Sequence, residues 1–265
     1  MPYFPQLASS CLAQFPLAKN LTSRTVLNRT PGGERVVSTD ANARLLEWTL
    51  DYSGLTRQEA AALETFFRDR EGRLNDFVFF DPVGNLLARS EEFHLAPWQN
   101  DPLLQWTAGQ LDPMGTTRAT RVTNAGAASQ LLKQSVDIPG DYQLCFSFWA
   151  KSATPLDLTV ARSAGAMSHI ATVQLTSFWL RWEITARLSV STSPIEFSIA
   201  LPAGAIADLF GAQLEPQPHA SGYRRTYQYS GVFPNSRFSQ DELSLTAEAF
   251  ENYAARVKVI SAWEG

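Results

Sequence analysis

The sequence has little of what usually announces a chemistry. It holds two cysteines and three histidines, no run of lysines and arginines, and no apolar run of the roughly 18 residues that mark a membrane-spanning helix. Cys11 and Cys145 lie far apart in segments of different character, so two reduced thiols are expected rather than a disulfide framework. His94, His169 and His219 are scattered, and none belongs to a zinc-binding helix motif. No nucleophile elbow, phosphate loop or Cys/His cluster is present, and Asp69 and Glu71 sit among Arg68 and Arg70 as a solvated charged turn. The chain is therefore expected not to be an enzyme. Scattered cations and a net charge of −4 exclude the basic face of a nucleic-acid binder. Charged residues make up only 18% of the chain and aromatics 11%, which excludes intrinsic disorder. The start, Met1-Pro2-Tyr3-Phe4-Pro5, lacks the basic-then-apolar pattern of a signal peptide, so no secretory route is expected.

What is present changes texture just after Asp81-Pro82. Before that point the chain reads as a compact α+β unit. Phe15–Arg29 suits a strand, Pro31-Gly32-Gly33 a turn, Glu34–Val37 a second strand, and Leu45–Tyr52 a third with Leu46, Trp48, Leu50 and Tyr52 on one face. Thr56-Arg57-Gln58-Glu59 has capping-box spacing and opens a helix whose apolar stripe includes Ala60, Ala62, Leu63, Phe66 and Phe67, with Gly72 as its stop. Phe77–Phe80 reads as a buried strand, so Phe66, Phe67, Phe77 and Phe79 are assigned to a core. The C-terminal strands, Leu243–Thr246 and Arg256–Ile260, are expected to return to this first sheet, because isolated strands are not stable.

Four elements in order, Pro5-Gln6-Leu7-Ala8, Trp48–Tyr52, Phe66–Gly72 and Phe80-Asp81-Pro82, resemble the N-terminal domain of distal tail proteins of long-tailed bacteriophages and gene transfer agents. The resemblance implies a β-sandwich-like unit that assembles with copies of itself into a ring, usually a hexamer. That ring joins the tail tube to the tip or baseplate, so the implied partners are tube and hub proteins and the implied location is the virion tail. The long segment after Asp81-Pro82 departs from the plainest members of that family.

That segment shows short strands between turn signals, the pattern of a sandwich or jelly roll. Arg118–Thr123, Tyr142–Lys151, Trp179–Ile184, Ile195–Ala200 and Leu209–Leu214 are the strands read from it. Its opening Asn85-Leu86-Leu87 and Ser90–Phe93 with Trp98, the strand Phe146–Lys151, and the closing Gly211–Glu215 with Tyr223–Thr226 resemble galactose-binding-like jelly rolls that serve as carbohydrate-binding modules. The overall expectation is a mainly β chain. A ring domain of residues 1–84 plus 224–265, with one α-helix, is interrupted by an inserted jelly roll of residues 85–223.

Sugar binding needs an exposed aromatic platform and a few polar groups for the hydroxyls. Trp98, Trp106, Tyr142 and Trp179 are the candidates; Trp98 and Trp106 lie in a loop-like, Pro- and Asp-containing stretch that favours binding, while Trp149, Trp179 and Trp182 lie in strand patterns that favour a core or sheet-face role. A structural calcium ion is common in modules of this kind. Asp137, Asp141, Asp208 and Glu215 can offer oxygens, but no ligand spacing is recognisable and no other cofactor is expected. The leading functional expectation is a structural tail-tip protein whose inserted domain projects to bind host-surface polysaccharide. A carbohydrate-binding adhesin or tail-fibre component without ring assembly is the alternative. A glycan hydrolase ranks below both, because no carboxylate pair can be singled out.

Overall fold

The computed structural model describes residues 1–263. The chain is mainly β, with a sandwich-like arrangement of sheets. It divides into two compact units, Met1–Phe79 with the chain from Phe233 onward, and Phe80–Val232. These crossings lie outside the positions 84/85 and 223/224 read from the sequence. The reason is backbone pairing that ties Asp81 and Asn85 into the second unit: Asp81 N donates to Gly231 O and Gly231 N to Asn85 O, each at 2.8 Å.

In the first unit, β1 (Leu17–Arg29) and β2 (Arg35–Leu55) form a long antiparallel hairpin. The turn between them holds Gly33 at φ 85°, in the left-handed region that glycine favours. Of Glu34–Val37 and Leu45–Tyr52, expected as separate strands, all residues except Glu34 belong to one strand of 21 residues, because neither proline nor glycine interrupts Arg35–Tyr52. Helix α1 (Arg57–Asp69) follows, then β3 (Phe77–Phe80). From the C-terminal segment come β14 (Val232–Phe238), β15 (Ser244–Ala249) and β16 (Asn252–Ala262). The sheet runs β1-β2-β16-β14-β3, with β15 paired to β16. An aromatic cluster fills the core: Trp48 lies 5.0 Å from Phe79 and 4.9 Å from Phe233, and Phe66 lies 5.2 Å from Phe77, measured between ring centres. Among the described residues β16 covers β2 along Leu45–Leu55, and β1 and β2 continue past that stretch as a two-stranded ribbon.

The helix begins as its sequence requires. Thr56 Oγ1 accepts from Glu59 N at 3.2 Å, and Glu59 Oε2 accepts from Thr56 N at 2.9 Å. Glu59 Oε1 also accepts from Ala8 N at 3.0 Å, tying the N-terminal segment to the helix. Burial raises the Glu59 carboxyl, but the bonds from Thr56, Ser9 and Ala8 outweigh it and hold the group below its usual range. At the other end, Glu71 N bonds Arg68 O and Gly72 N bonds Phe67 O, closing a Schellman-type stop. Both Glu71 and Gly72 have positive φ, so the stop predicted at Gly72 is shared with the residue before it.

The second unit contains β4 (Gln99–Asn100), β5 (Leu104–Gln110), β6 (Ala119–Asn124), β7 (Gln130–Val136), β8 (Leu144–Lys151), β9 (Leu156–Ala164), β10 (Met167–Leu175), β11 (Leu180–Ala186), β12 (Ile195–Leu201) and β13 (Ile206–Glu215). They form two five-stranded sheets, β10-β9-β12-β7-β4 and β11-β8-β13-β6-β5. Strand β6 pairs with β13, β7 with β12, β8 with β11 and β9 with β10, all antiparallel. This nested pairing is a long hairpin rolled up on itself, which is what makes a jelly roll. Leu144, Phe146 and Phe148 of β8 and Ile195, Phe197 and Ile199 of β12 fill the space between the sheets. Arg162 of β9 is also interior, donating to the carbonyls of Gly140 and Tyr142 at 2.7 Å each and to that of Ala186.

A polar clasp joins the first and last segments of the jelly roll. Buried Asn85 donates to the carbonyls of Ala212 (2.9 Å) and Arg224 (3.2 Å) and accepts from Leu87 N and Leu214 N, each at 3.0 Å. Tyr223 donates to Glu91 at 3.0 Å, and Ser90 Oγ lies 2.8 Å from the same hydroxyl. Arg118 and Arg225 pair with the Glu91 carboxylate at 2.9 and 2.8 Å. The bulge in β13 makes room for this layer. Gly211 has φ 64°, and a Cβ there would meet the Trp149 ring at 2.9 Å.

Two stability outcomes are expected. Because Glu59 titrates low in the folded state, its contribution is present above the ordinary carboxyl range and disappears as pH falls through the folded value. Glu59→Gln therefore costs about 1–2 kcal/mol at pH 7, and the gap from wild type narrows as pH falls through the folded value, read from urea midpoints. Asn85→Ala strands several buried backbone groups and costs about 3 kcal/mol or more, whereas Asn28→Ala on the exposed ribbon stays within about 0.5 kcal/mol.

Candidate functional site

The four aromatic candidates do not share a surface. Trp98 is 5% exposed, its ring packs on Phe93, and its indole N–H donates to Arg89 O at 2.9 Å. Tyr142 is also buried, with its ring edge-on to Phe80 at 5.6 Å. Neither can stack on a sugar. The stretch around Trp98 is an exposed loop, as its Pro and Asp content suggests, but the Trp98 side chain turns inward and its indole is satisfied on a backbone carbonyl. Trp106 lies on the edge strand β5 opposite Val122, whose side chain is interior, so Trp106 shares the inward face and is only half-exposed.

Trp179 is different. It precedes β11 in the short connection from β10, and its Nε1 donates to Leu111 O at 3.2 Å. The Lys151 ammonium lies 5.0 Å from the centre of its ring. These two contacts fix the orientation of a half-exposed indole. Phe178 beside it is 76% exposed, and Leu111, Met114, Leu180 and Ile206 are exposed large apolar side chains on the adjoining segments. Ser152 draws those segments together, donating its amide to Thr176 O at 2.8 Å and its hydroxyl to Ile206 O at 2.9 Å.

The loop that carries Leu111 and Met114 is anchored by Asp112. Its carboxylate accepts from the amides of Met114 (2.8 Å), Thr116 (3.1 Å) and Arg118 (3.3 Å). Burial raises this carboxyl, but the bonds from Thr116, Met114 and Arg118 outweigh it and hold it below the usual range. Beside the apolar residues runs a charged row. Asp208 pairs bidentately with Arg121 at 2.7 and 3.1 Å, and Lys151 lies 3.8 Å from the same carboxylate. An apolar aromatic surface next to fixed donors and acceptors is what a pyranose ring requires, since it offers one apolar face and a rim of hydroxyls.

Trp179 was among the sequence candidates, although its strand-like context favoured a core or sheet-face role, and the residues around it were not named. The adjacent pair Phe178-Trp179 between turn residues was the available signal. The charged row was hidden because Lys151, Asp208 and Arg121 come from three strands that are neighbours only after the roll has closed.

Three of the four carboxylates considered for calcium have other partners. Asp208 faces Arg121 and Lys151, Glu215 accepts from Ser221 N at 3.0 Å and pairs with Arg224 at 3.4 Å, and Asp137 accepts from Ser193. Among the described residues no group of three or more His, Cys, Asp or Glu side chains is arranged to hold a metal ion. Cys11 and Cys145 are both free thiols, and burial pushes that of Cys145 up to about 11.

No protein-family model and no curated protein matches the sequence. Solved structures do resemble about half of the chain. The module TmCBM61, solved with β-1,4-galactotriose, is 19% identical, with a TM-score of 0.40 over 49% of this chain and 97% of that one. The CBM22-1 xylan-binding domain of Paenibacillus barcinonensis Xyn10C is 16% identical, with a TM-score of 0.41 over 53% and 99%. The enzymatically active domain of bacteriophage CBA120 tailspike protein 4 is 10% identical, with a TM-score of 0.41 over 52% of this chain but only 22% of that one.

Proposed function

We propose that this chain is a structural, non-catalytic component of a phage-type tail tip whose inserted jelly roll binds a surface polysaccharide. The unit built from both ends of the chain forms the ring that joins tail tube to tip, and the jelly roll supplies the glycan contact. The observation that carries the glycan reading is the Trp179 surface. There an aromatic pair and exposed aliphatic side chains lie beside the Lys151–Asp208–Arg121 row. The ring reading is supported by the distal-tail resemblance of Pro5–Ala8, Trp48–Tyr52, Phe66–Gly72 and Phe80–Pro82, and by the bare β1–β2 ribbon. Several identical weak sites on one ring raise avidity by about 10²–10⁴ over a single site.

The test is an array of purified bacterial surface polysaccharides probed with the full chain. Binding is expected, and Trp179→Ala should weaken it at least about tenfold, a loss of about 1.4 kcal/mol, without lowering the thermal midpoint. Trp98→Ala should instead lower the midpoint, because it empties a core position. No new reducing ends should appear in the bound polysaccharide. Binding unchanged in Trp179→Ala, or release of sugar fragments by the wild type, would contradict this reading.

A further inference from the structure

Among the described residues the β1–β2 ribbon beyond the sheet has no partner layer. Ten residues of β2, Arg35–Arg44, extend past the stretch paired with β16, which is about 30 Å of strand. A two-stranded ribbon is marginal in water without a third layer. This one nevertheless presents the cross-strand pair Leu27 and Val37, 54% and 55% exposed. Its charge has one sign in excess: four arginines, at 24, 29, 35 and 44, stand against Glu34 and Asp40. Arg24 pairs with Asp40, and the Arg44 guanidinium lies over the Trp263 ring at 5.7 Å. Arg29 and Arg35 sit opposite one another beside the turn, and among the described residues neither has an ion-pair partner. Like charges directly opposite on paired strands destabilise them, so this end of the ribbon is suited to an anionic neighbour.

The same unit carries a surface with the opposite character. Residues 239–255, spanning the β15–β16 hairpin, hold Asp241, Glu242, Glu248 and Glu251 with no lysine or arginine. Asp241 is bound by Arg73 at 2.8 Å, but among the described residues Glu248 and Glu251 have no ion-pair partner. They flank Phe250, which is 94% exposed at the hairpin tip. Each surface thus combines exposed apolar groups with two unpaired charges, and the two signs are opposite.

We propose that the ribbon of one copy docks on the β15–β16 hairpin of the next, with Leu27 and Val37 against Phe250 and with Arg29 and Arg35 facing Glu248 and Glu251. Two different, complementary patches on one chain make a head-to-tail contact, the kind that closes into a ring when the rotation between copies permits. The inference rests on the ring reading above and names its contact. The occupant is a second copy because the complement to the ribbon lies on this same chain.

Charge reversal tests it in the full-length protein, by sedimentation velocity at low salt. Wild type should sediment as a closed assembly that dissociates as sodium chloride screens the pairs. Arg29→Glu/Arg35→Glu and Glu248→Arg/Glu251→Arg should each sediment as monomers. Their one-to-one mixture, and the chain carrying all four changes, should recover the assembly, which rules out misfolding as the cause of the loss. An assembly that persists in either double variant overturns the proposed contact while leaving the ring reading intact. Monomers throughout, wild type included, overturn both.

Discussion

The inserted jelly roll depends on how its two ends are held. A rolled hairpin leaves its first and last segments side by side, each with buried backbone groups that no sheet partner satisfies. Asn85 answers four of them with one side chain, two as donor and two as acceptor. A side chain of this length with both functions fits there, and neither aspartate nor leucine does. Around it the Glu91 carboxylate gathers Tyr223, Arg118 and Arg225 at 2.8–3.0 Å. Such a network is costly if half-made, and it ties the entering and leaving segments of the sandwich to one another.

Much follows from that closure. With the ends clasped, β6 and β8 both pair with β13, so the charged side chains of β6, β8 and β13 fall into one row. Lys151 then reaches both Asp208 and the ring of Trp179, and the Asp112-anchored loop brings Leu111 to the indole N–H. The candidate binding surface is thus assembled from segments distant in sequence and held by side chains that are themselves bonded. Trp179 starts oriented, so less freedom is lost when a ligand stacks on it.

How much of this the sequence disclosed follows from where the information sits. The capping box at Thr56–Glu59 is local and was legible, as was the alternation of β8; the residues of the clasp were named for the jelly-roll resemblance, but not their contacts. The β9–β10 hairpin was not read, although Leu156, Leu158, Val160 and Ala164 alternate. Arg162 stands at an inward position of that alternation and masks it. Trp98 and Tyr142 misled for a related reason. Aromatics near proline, glycine and aspartate resemble exposed loop residues, and only tertiary contacts with Phe93, Arg89 and Phe80 place them inside. The surface around Trp179 was not legible, because its strand-like context pointed to a core role and the other members become neighbours through strand order rather than through spacing.

The account divides the chain into a discontinuous host unit and an insertion that closes on itself through the clasp. The most direct test is urea unfolding of a fragment spanning Phe80–Val232, followed by near-ultraviolet circular dichroism and tryptophan fluorescence. The fragment should unfold in one cooperative transition that coincides by both probes, with a fixed aromatic signal before the transition. A fragment without near-ultraviolet ellipticity, or with no cooperative transition, would show that the jelly roll needs the rest of the chain to close, and would contradict the account.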